Sequence, residues 1–551
     1  MELTEEQKKL IEETITNKDG VYSCESVAGS GKTFTILKAI EYIKKHQPKA
    51  KILYIVFNKQ NQLEAQSRLD AYGFITNPIK VCTCNAYGYE KWLQTIGHFD
   101  VISTLDKDTI YKFQRQSYLN DIKYSKHRPF KKILEMYDSS KLTLETFCKD
   151  LEFHWDDSYR GFDRPKDCKI IDKFGNEKFK YGIPVDNYSV ITKDHIPVFK
   201  KIIEYYESQK KYSHGMYMKA VAYSKSEKTA RDEWDYVFFD EAQDANYFVL
   251  KLLKKQKIHK IYFIGDRRQS IYNFGGINDN VFNIIKFDKK YTLSKSFRFG
   301  ESIANIANII LNGDGLKVIG TEQEERPNNR VYTRLYRTNA KMFKDALDLA
   351  YNAKKKNISI KIEFMRTEQE DKSNNDMIAF LGIYYRYVKP EVYYSNRLFF
   401  DNIYKSEIIS MFESRLEDVK RFNRVYNEMY DYLSEDIHSM FNYAKDDDEF
   451  ILKFNALERC KMNLNPTYLI TMITMHRSKG LEFDNVTIAE NTKLLVDDGD
   501  GTFHKSPDFE QELNLMYVAA TRSRKILDAS IFVDELRNFG INTKENSFIV
   551  K

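Results

Sequence analysis

Apolar residues enter the chain at helical spacing. In LTEEQKKLIEETI, Leu10, Ile11 and Ile15 fall on one face, and Thr4 ahead of them with Gln7 three residues on forms a capping-box pattern. GVYSCESV then alternates like a short strand, AGSGKT breaks it, and FTILKAIEYIKKH resumes helical spacing until Pro48. AKILYIVFN is a continuous apolar run, as in a strand covered on both faces of a parallel sheet. This alternation predicts an α/β domain. Between Tyr89 and Glu227 it fades into Lys-, Asp- and Tyr-rich helical segments around a Gly- and Pro-punctuated stretch, GFDRPKDCKIIDKFGNEKFKYGIP. It returns in DYVFFDEAQD, HKIYFIGDRRQSIYNFGG and YTLSKSFRFGESIANIANIIL, and RVYTRLYRTNAKMFKDALDLAYNAKKKNISIKIEFMR again reads strand, helix, strand. Residues 367–455 are mostly helical and polar and include the acidic KDDDEF, before PTYLITMITMHRSKGLEFDNVTIAE restores strand character.

The pattern predicts two α/β cores of parallel sheets flanked by helices, each interrupted by a largely helical insertion. The expected cores are 1–90 with 211–293 and 294–366 with 456–551, and the insertions are 91–210 and 367–455. A length of 551 residues agrees, at roughly 150 residues per domain, with three or four domains. A hydrophobic share of 42% beside a charged share of 30% excludes a disordered chain. The net charge of +6 is too small to name a partner, so any basic footprint has to be local. MELTEEQKKLIEE lacks the apolar centre of a signal peptide, and no apolar run reaches about 18 residues; the expectation is a soluble intracellular protein with no membrane partner. Of the cysteines at 24, 82, 84, 148, 168 and 460, only Cys82 and Cys84 are close. They are expected to share a strand face and lack the second pair a zinc site needs, so all six are expected as reduced structural thiols. VDDGDGTF lacks the ligand spacing of a calcium loop and reads as a solvated turn.

Two short segments carry chemistry. SVAGSGKTF follows the phosphate-loop pattern at Gly29, Gly31, Lys32 and Thr33, with Ser26 in place of the first glycine. Glycines let backbone N–H groups surround phosphates, Lys32 adds a charge, and the Thr33 hydroxyl suits magnesium at a helix N-terminus. VFFDEAQD sets Asp240, Glu241 and Asp244 at the end of a buried strand, the carboxyl edge where open α/β sheets bind ligands. Asp240 then holds magnesium and Glu241 polarises water as general base. Alone, such acids only offset a helix dipole; beside a phosphate loop they face a nucleotide.

AGSGKT, DEAQD, GDRRQSIYNFGG, SFRF, TMHRSKGLEF and LNLMYVAATRS occur in the order found in superfamily-one DNA helicases, and the chain resembles the UvrD/Rep type. LSKSFRFGESIANIANIIL and NLMYVAATRSRKIL look most like the helicase core of the F-box DNA helicases, with no F-box segment ahead of them here. The resemblance covers about residues 1–90, 210–345 and 465–530 and implies two RecA-like P-loop cores using ATP and Mg2+. It implies that Ala28, Gly29, Ser30, Gly31, Lys32, Thr33 and Phe34 cradle the nucleotide, Gln7 reads the adenine edge, Phe297 stacks on the base, and Glu482 contacts the ribose with Gly480 allowing close approach. Arg298 and Arg522 look like the arginines that reach the γ-phosphate, and Gln269 like its sensor.

On the nucleic-acid side the resemblance places stacking residues at Phe57, Tyr272 and Phe274, and backbone contacts at Asn58, Thr83, Thr474 and His476. An aromatic in a chain that is 14% aromatic is ordinarily a core residue; Tyr272 and Phe274 follow an apolar strand on a Gly-ended loop, which favours exposure. Three positions depart from the family. Asn85, at a further expected nucleic-acid backbone contact, stands in place of a histidine, Phe34 in place of an arginine that packs on the base, and 367–455 is short for its counterpart. The implied activity is ATP-dependent 3′→5′ movement on single-stranded DNA with unwinding at single/double-strand junctions, in replication, repair or recombination and alongside accessory proteins. A DNA-stimulated ATPase that strips proteins from single strands shares every motif.

Overall fold

The structure is a computed structural model and describes residues 2–73, 78–117, 128–153, 166–171, 177–186, 189–225, 231–271, 281–313, 315–321, 330–365, 368–400, 407–419, 421–429, 435–445, 449–497, 503–506, 508–538 and 548–550. The chain forms two compact units, Met1–Lys295 and Ser296–Lys551.

The first unit is built on six strands: β1 (Gly20–Ser26), β2 (Ile52–Val56), β3 (Ile79–Thr83), β4 (Glu233–Phe239), β5 (Lys257–Gly265) and β6 (Lys289–Leu293). They lie in the order β6-β1-β5-β4-β2-β3, and every pairing is parallel. The unbroken apolar run of β2 has its reason in the pleat. Ile52, Tyr54 and Val56 enter one core with Leu10, Ile36, Ile40 and Phe238, while Leu53 and Ile55 enter another with Val237, Phe239 and Phe263. The second core continues into the insertion through Phe130, Ile133, Phe199 and Ile202, so insertion and sheet share one hydrophobic interior. Thr4 and Gln7 form the expected capping box at the start of the helix Glu5–Thr16.

The second unit carries β7 (Val331–Tyr336), β8 (Ile360–Phe364), β9 (Tyr468–Thr474), β10 (Phe483–Ile488), β11 (Ser523–Asp528) and β12 (Ile549–Val550), in the order β8-β9-β7-β10-β11-β12. All pairs are parallel except β11 with the two-residue β12. Its helical insertion is knit to the sheet by Phe343, Phe380, Tyr384, Phe441 and Phe454 in a single core with Ile362 and Met472.

The first insertion, expected as largely helical, also holds a three-stranded antiparallel sheet formed by Lys166–Ile171, Glu177–Asp186 and Ser189–Ile191. One expectation changes. Cys82 and Cys84 do not share a strand face, because the Thr83 hydroxyl accepts from the Ala86 N–H and starts a helix at Cys84. The ends of VDDGDGTF belong to two short antiparallel strands, Leu495–Asp497 and Phe503–Lys505, with 498–502 outside the described residues. Cys24, Cys82, Cys84, Cys148 and Cys460 are free thiols; Cys168 is a residue whose side chain is not described. No described helix is long and apolar enough to cross a membrane.

Candidate nucleotide site and nucleic-acid-facing edge

At the carboxyl edge of the first sheet, β1 runs into a loop whose Gly29 and Gly31 have φ of 74° and 76°, a left-handed backbone that glycine adopts without a Cβ penalty. Gly31 caps the helix Lys32–His46, so the loop presents a helix N-terminus. Ala28 and Ser30 are buried, and Ser30 Oγ has no hydrogen-bond partner among the described residues. Phe34 is half-buried on the next turn, with Lys38 Nζ 5.9 Å from its ring centroid.

The strand order sets β4 two places from β1, with β5 between them. Beneath the loop, the Thr33 hydroxyl donates to Asp240 Oδ2 at 3.1 Å, and Lys32 Nζ stands 3.6 Å from Glu241 Oε1. Asp240 also accepts from the Tyr54 hydroxyl at 2.9 Å and, on Oδ1, from the Glu241 N–H at 2.9 Å. Burial, and then the charge of Glu241, raise the Asp240 carboxyl to about 6, against the pull of Lys32 and of the Tyr54 hydroxyl. Burial and Asp240 together hold the Tyr54 phenol well above its ordinary range, so it is a donor. Hard oxygen donors at Thr33 and Asp240 beside a cationic lysine fit a magnesium-bound triphosphate.

Glu241 is a non-glycine residue at φ 50°, ψ 44°, a strained backbone of the kind held at functional sites. Gln243, fully buried, fixes it: its amide donates to Glu241 Oε2 at 2.5 Å while its carbonyl oxygen accepts the Asp266 N–H at 3.1 Å. The close approach depends on Gly265, where an added Cβ would sit 2.2 Å from Gln243 Oε1. Asp266 in turn accepts from Gln269 Nε2 at 2.8 Å, and Ser26 Oγ donates to the Gly265 carbonyl at 2.9 Å. The ends of β1, β4 and β5 are thus stitched together. Sequence reading had passed over Tyr54 and Gln243. A tyrosine within an otherwise aliphatic buried strand, and an amide between carboxylates in DEAQD, were the available signals.

Gln7 reaches this loop, but its amide is committed: Nε2 donates to Thr35 Oγ1 at 3.0 Å and to the Ser30 carbonyl at 3.4 Å, and Oε1 accepts the Thr4 N–H.

Five of the remaining expected nucleotide residues, Phe297, Arg298, Gly480, Glu482 and Arg522, lie in the second unit. Arg298 donates to the Thr521 carbonyl at 2.9 Å and to Glu482 at 2.7 Å, so Glu482, expected at the ribose, spends a carboxylate oxygen on Arg298. Arg522 is fully buried, bonded to the Val518 carbonyl at 2.8 Å and the Leu481 carbonyl at 3.3 Å. Gly480, at φ 84°, precedes this turn, and Phe297 beside Arg298 is half-buried.

Of the expected nucleic-acid contacts, Phe57, Asn58, Thr83 and Asn85 follow the ends of β2 and β3, which pair Val56 with Thr83. Phe57 is 41% exposed. Asn58 and Thr83 are helix N-caps, and Asn85 is exposed with its carbonyl accepting from Tyr217. Tyr272 and Phe274 lie outside the described residues. In the second unit Thr474 ends β9, and His476 sits beside the Arg337–Glu512 ion pair; burial, aided by Arg337, lowers its imidazole to about 4, so it is neutral.

Glycine-loop amides, a lysine and a buried carboxylate on one sheet edge suit the polyphosphate of a nucleotide, so the first unit is a P-loop nucleotide-binding core. Residues 3–292, more than half of the chain, match the UvrD/REP helicase N-terminal domain, and the chain belongs to that family. It is similar to the F-box DNA helicase protein 1 of Schizosaccharomyces pombe, 25% identical over 559 aligned residues that cover 95% of this chain and 57% of that protein. It is also similar to the F-box DNA helicase 1 of Gallus gallus, 27% identical over 337 residues covering 55% of this chain and 29% of that one. The chain therefore spans little more than half the length of the first of these relatives and under a third of the second.

Proposed function

We propose that the protein is an ATP-driven motor that moves 3′→5′ along single-stranded DNA and opens duplex at junctions. The observation that carries the reading is the convergence of Lys32, Thr33, Asp240 and Glu241 on one sheet edge. Magnesium held through Thr33 and Asp240 would neutralise charge on the β- and γ-phosphates. Glu241, oriented by Gln243, takes the proton of the attacking water, and Lys32 donates to phosphate oxygen. Arg298 and Arg522 add positive charge in the hydrolysing state. For Arg298 this requires exchanging Glu482 for phosphate, so the Arg298–Glu482 pair holds the arginine in reserve between turnovers.

The chain Glu241–Gln243–Asp266–Gln269 runs from the base into the segment that bears Tyr272 and Phe274, and supports a direct route from strand occupancy to hydrolysis. Phe57, the caps Asn58 and Thr83, and Thr474 with His476 supply the track. The family and the names of its relatives support DNA as the polymer; replication, repair or recombination is the proposed setting. Strand displacement from duplexes with a 3′ or a 5′ single-stranded tail tests the reading: the 3′ tail alone should support it. Displacement from the 5′ tail only, or from neither while ATP is hydrolysed, overturns it.

A further inference from the structure

A cavity of about 290 Å³ in the first unit is unused by the chemistry above. Asn85, Glu135, Asp138, His214, Asn246 and Tyr247 are among its lining residues, and no lysine or arginine is. A phosphate would find two carboxylates on the wall, with the nearest cations, Lys219 and Lys141, set behind the Phe248 and Tyr247 rings rather than lining the cavity. What the wall offers is acceptors. Ser213 Oγ donates to Asp138, 3.0 Å from Oδ1 and 2.8 Å from Oδ2, which leaves lone pairs on both oxygens. Gly215 lets the helix starting at His214 come this close, since a Cβ there would lie 2.3 Å from Asp138 Cγ. The neighbouring Lys219 acts on the carboxylate only from a distance: its Nζ donates to the Tyr137 carbonyl at 2.6 Å and to Ser140 Oγ at 3.0 Å, and neither Asp138 nor Glu135 has an ion pair among the described residues. Burial raises the Asp138 carboxyl to about 6, leaving it ionised at neutral pH.

The tautomer of His214 follows from its partner. The Tyr217 hydroxyl gives its proton to the Asn85 carbonyl at 3.1 Å, so His214 Nδ1, 2.7 Å away, donates to the hydroxyl oxygen. Burial lowers this imidazole and keeps it neutral, so Nε2 is an acceptor. Asn246 is the complement: its Oδ1 takes the Val249 N–H at 2.9 Å and its amide protons have no partner among the described residues. Tyr247 and Phe248 add ring surface to the lining.

A carboxylate, an amide donor and aromatic rings lining one cavity match one planar group best. We infer that the cavity receives a nucleobase whose edge carries adjacent N–H donors and a carbonyl, guanine above the others, with Asp138 accepting from N1–H and the 2-amino group and Asn246 donating to O6. Exposed Asn85 borders both this cavity and the proposed track, and Asn246 follows Glu241 in one short segment, so a captured guanine touches the stretch of chain that bears the candidate base. The inference rests on the reading of the first unit as a single-strand track.

Fluorescence anisotropy with oligo-dT, oligo-dT carrying one dG, and the same strand with inosine, which lacks the 2-amino group, tests it. The dG strand should bind about tenfold more tightly than the inosine strand, as one bidentate pair does elsewhere. Asp138→Asn, which keeps an acceptor for Ser213, should erase the difference and leave oligo-dT binding intact. Equal binding of dG and inosine strands by the unaltered protein overturns the inference without a variant, as does a preference that survives Asp138→Asn. Absence of oligo-dT binding refutes the track itself, and the pocket with it.

Discussion

Replacing Tyr54 by Phe removes one oxygen from a site with few to lose. Asp240 is 3% exposed, and of the three hydrogen bonds its carboxylate accepts, the one from Tyr54, at 2.9 Å, comes from the neighbouring strand rather than from the loop or its own chain neighbour. Depriving a buried charged acceptor of a partner costs roughly 1.5–3 kcal/mol. Thr33 and the Glu241 N–H remain, so the low end applies, about 1.5 kcal/mol, or roughly tenfold in an equilibrium. Because Tyr54 fixes the carboxylate rather than touching nucleotide, the loss should appear as a Mg2+ concentration for half-maximal ATP hydrolysis raised about tenfold. Nucleotide binding without metal should be nearly unchanged. The assay is a Mg2+ titration of hydrolysis for both proteins, with thermal unfolding in parallel. Lowered unfolding temperature with unaltered Mg2+ dependence would show that Tyr54 only packs, and would refute the reasoning.

Arg298→Ala should retain ATP binding, measured with a fluorescent analogue, and lose at least 100-fold in hydrolysis, as removal of an electrostatic donor does elsewhere; normal turnover would sink its proposed role. His476 supplies a pH dependence. Its folded imidazole lies at about 4 and its unfolded one near 6.5, so the unfolded state takes up the proton first and stability is lost as pH falls through 6.5 towards 4. Between pH 7 and 5 the loss should reach roughly 2 kcal/mol in chemical denaturation of the second unit, and His476→Gln should abolish it. A variant as acid-sensitive as the parent would assign the effect elsewhere.

Local order was legible where one segment contained its own cause. The run through Ile52 to Val56 declared a strand with two buried faces, Thr4 with Gln7 declared a helix start, and the glycines of AGSGKT declared a phosphate loop, which the structure builds with left-handed backbone at Gly29 and Gly31. What escaped notice joins distant parts of the chain: Tyr54 meets Asp240 across 186 positions, and Arg298 meets Glu482 across 184. No spacing rule reaches so far. The antiparallel sheet at Lys166–Ile171 and Glu177–Asp186 was hidden for a different reason, since its lysines and acids interrupt the apolar alternation that marks a half-buried strand. Cys84 was misplaced because Thr83 turns strand into helix within a single residue.

Steady-state ATP hydrolysis without nucleic acid, with single-stranded DNA and with single-stranded RNA, using Lys32→Ala as the blank, tests the central claim most directly. A DNA motor predicts strong stimulation by DNA, little by RNA, and none of either in the blank. Hydrolysis no higher than the blank under all three conditions, or equal stimulation by RNA, would contradict it.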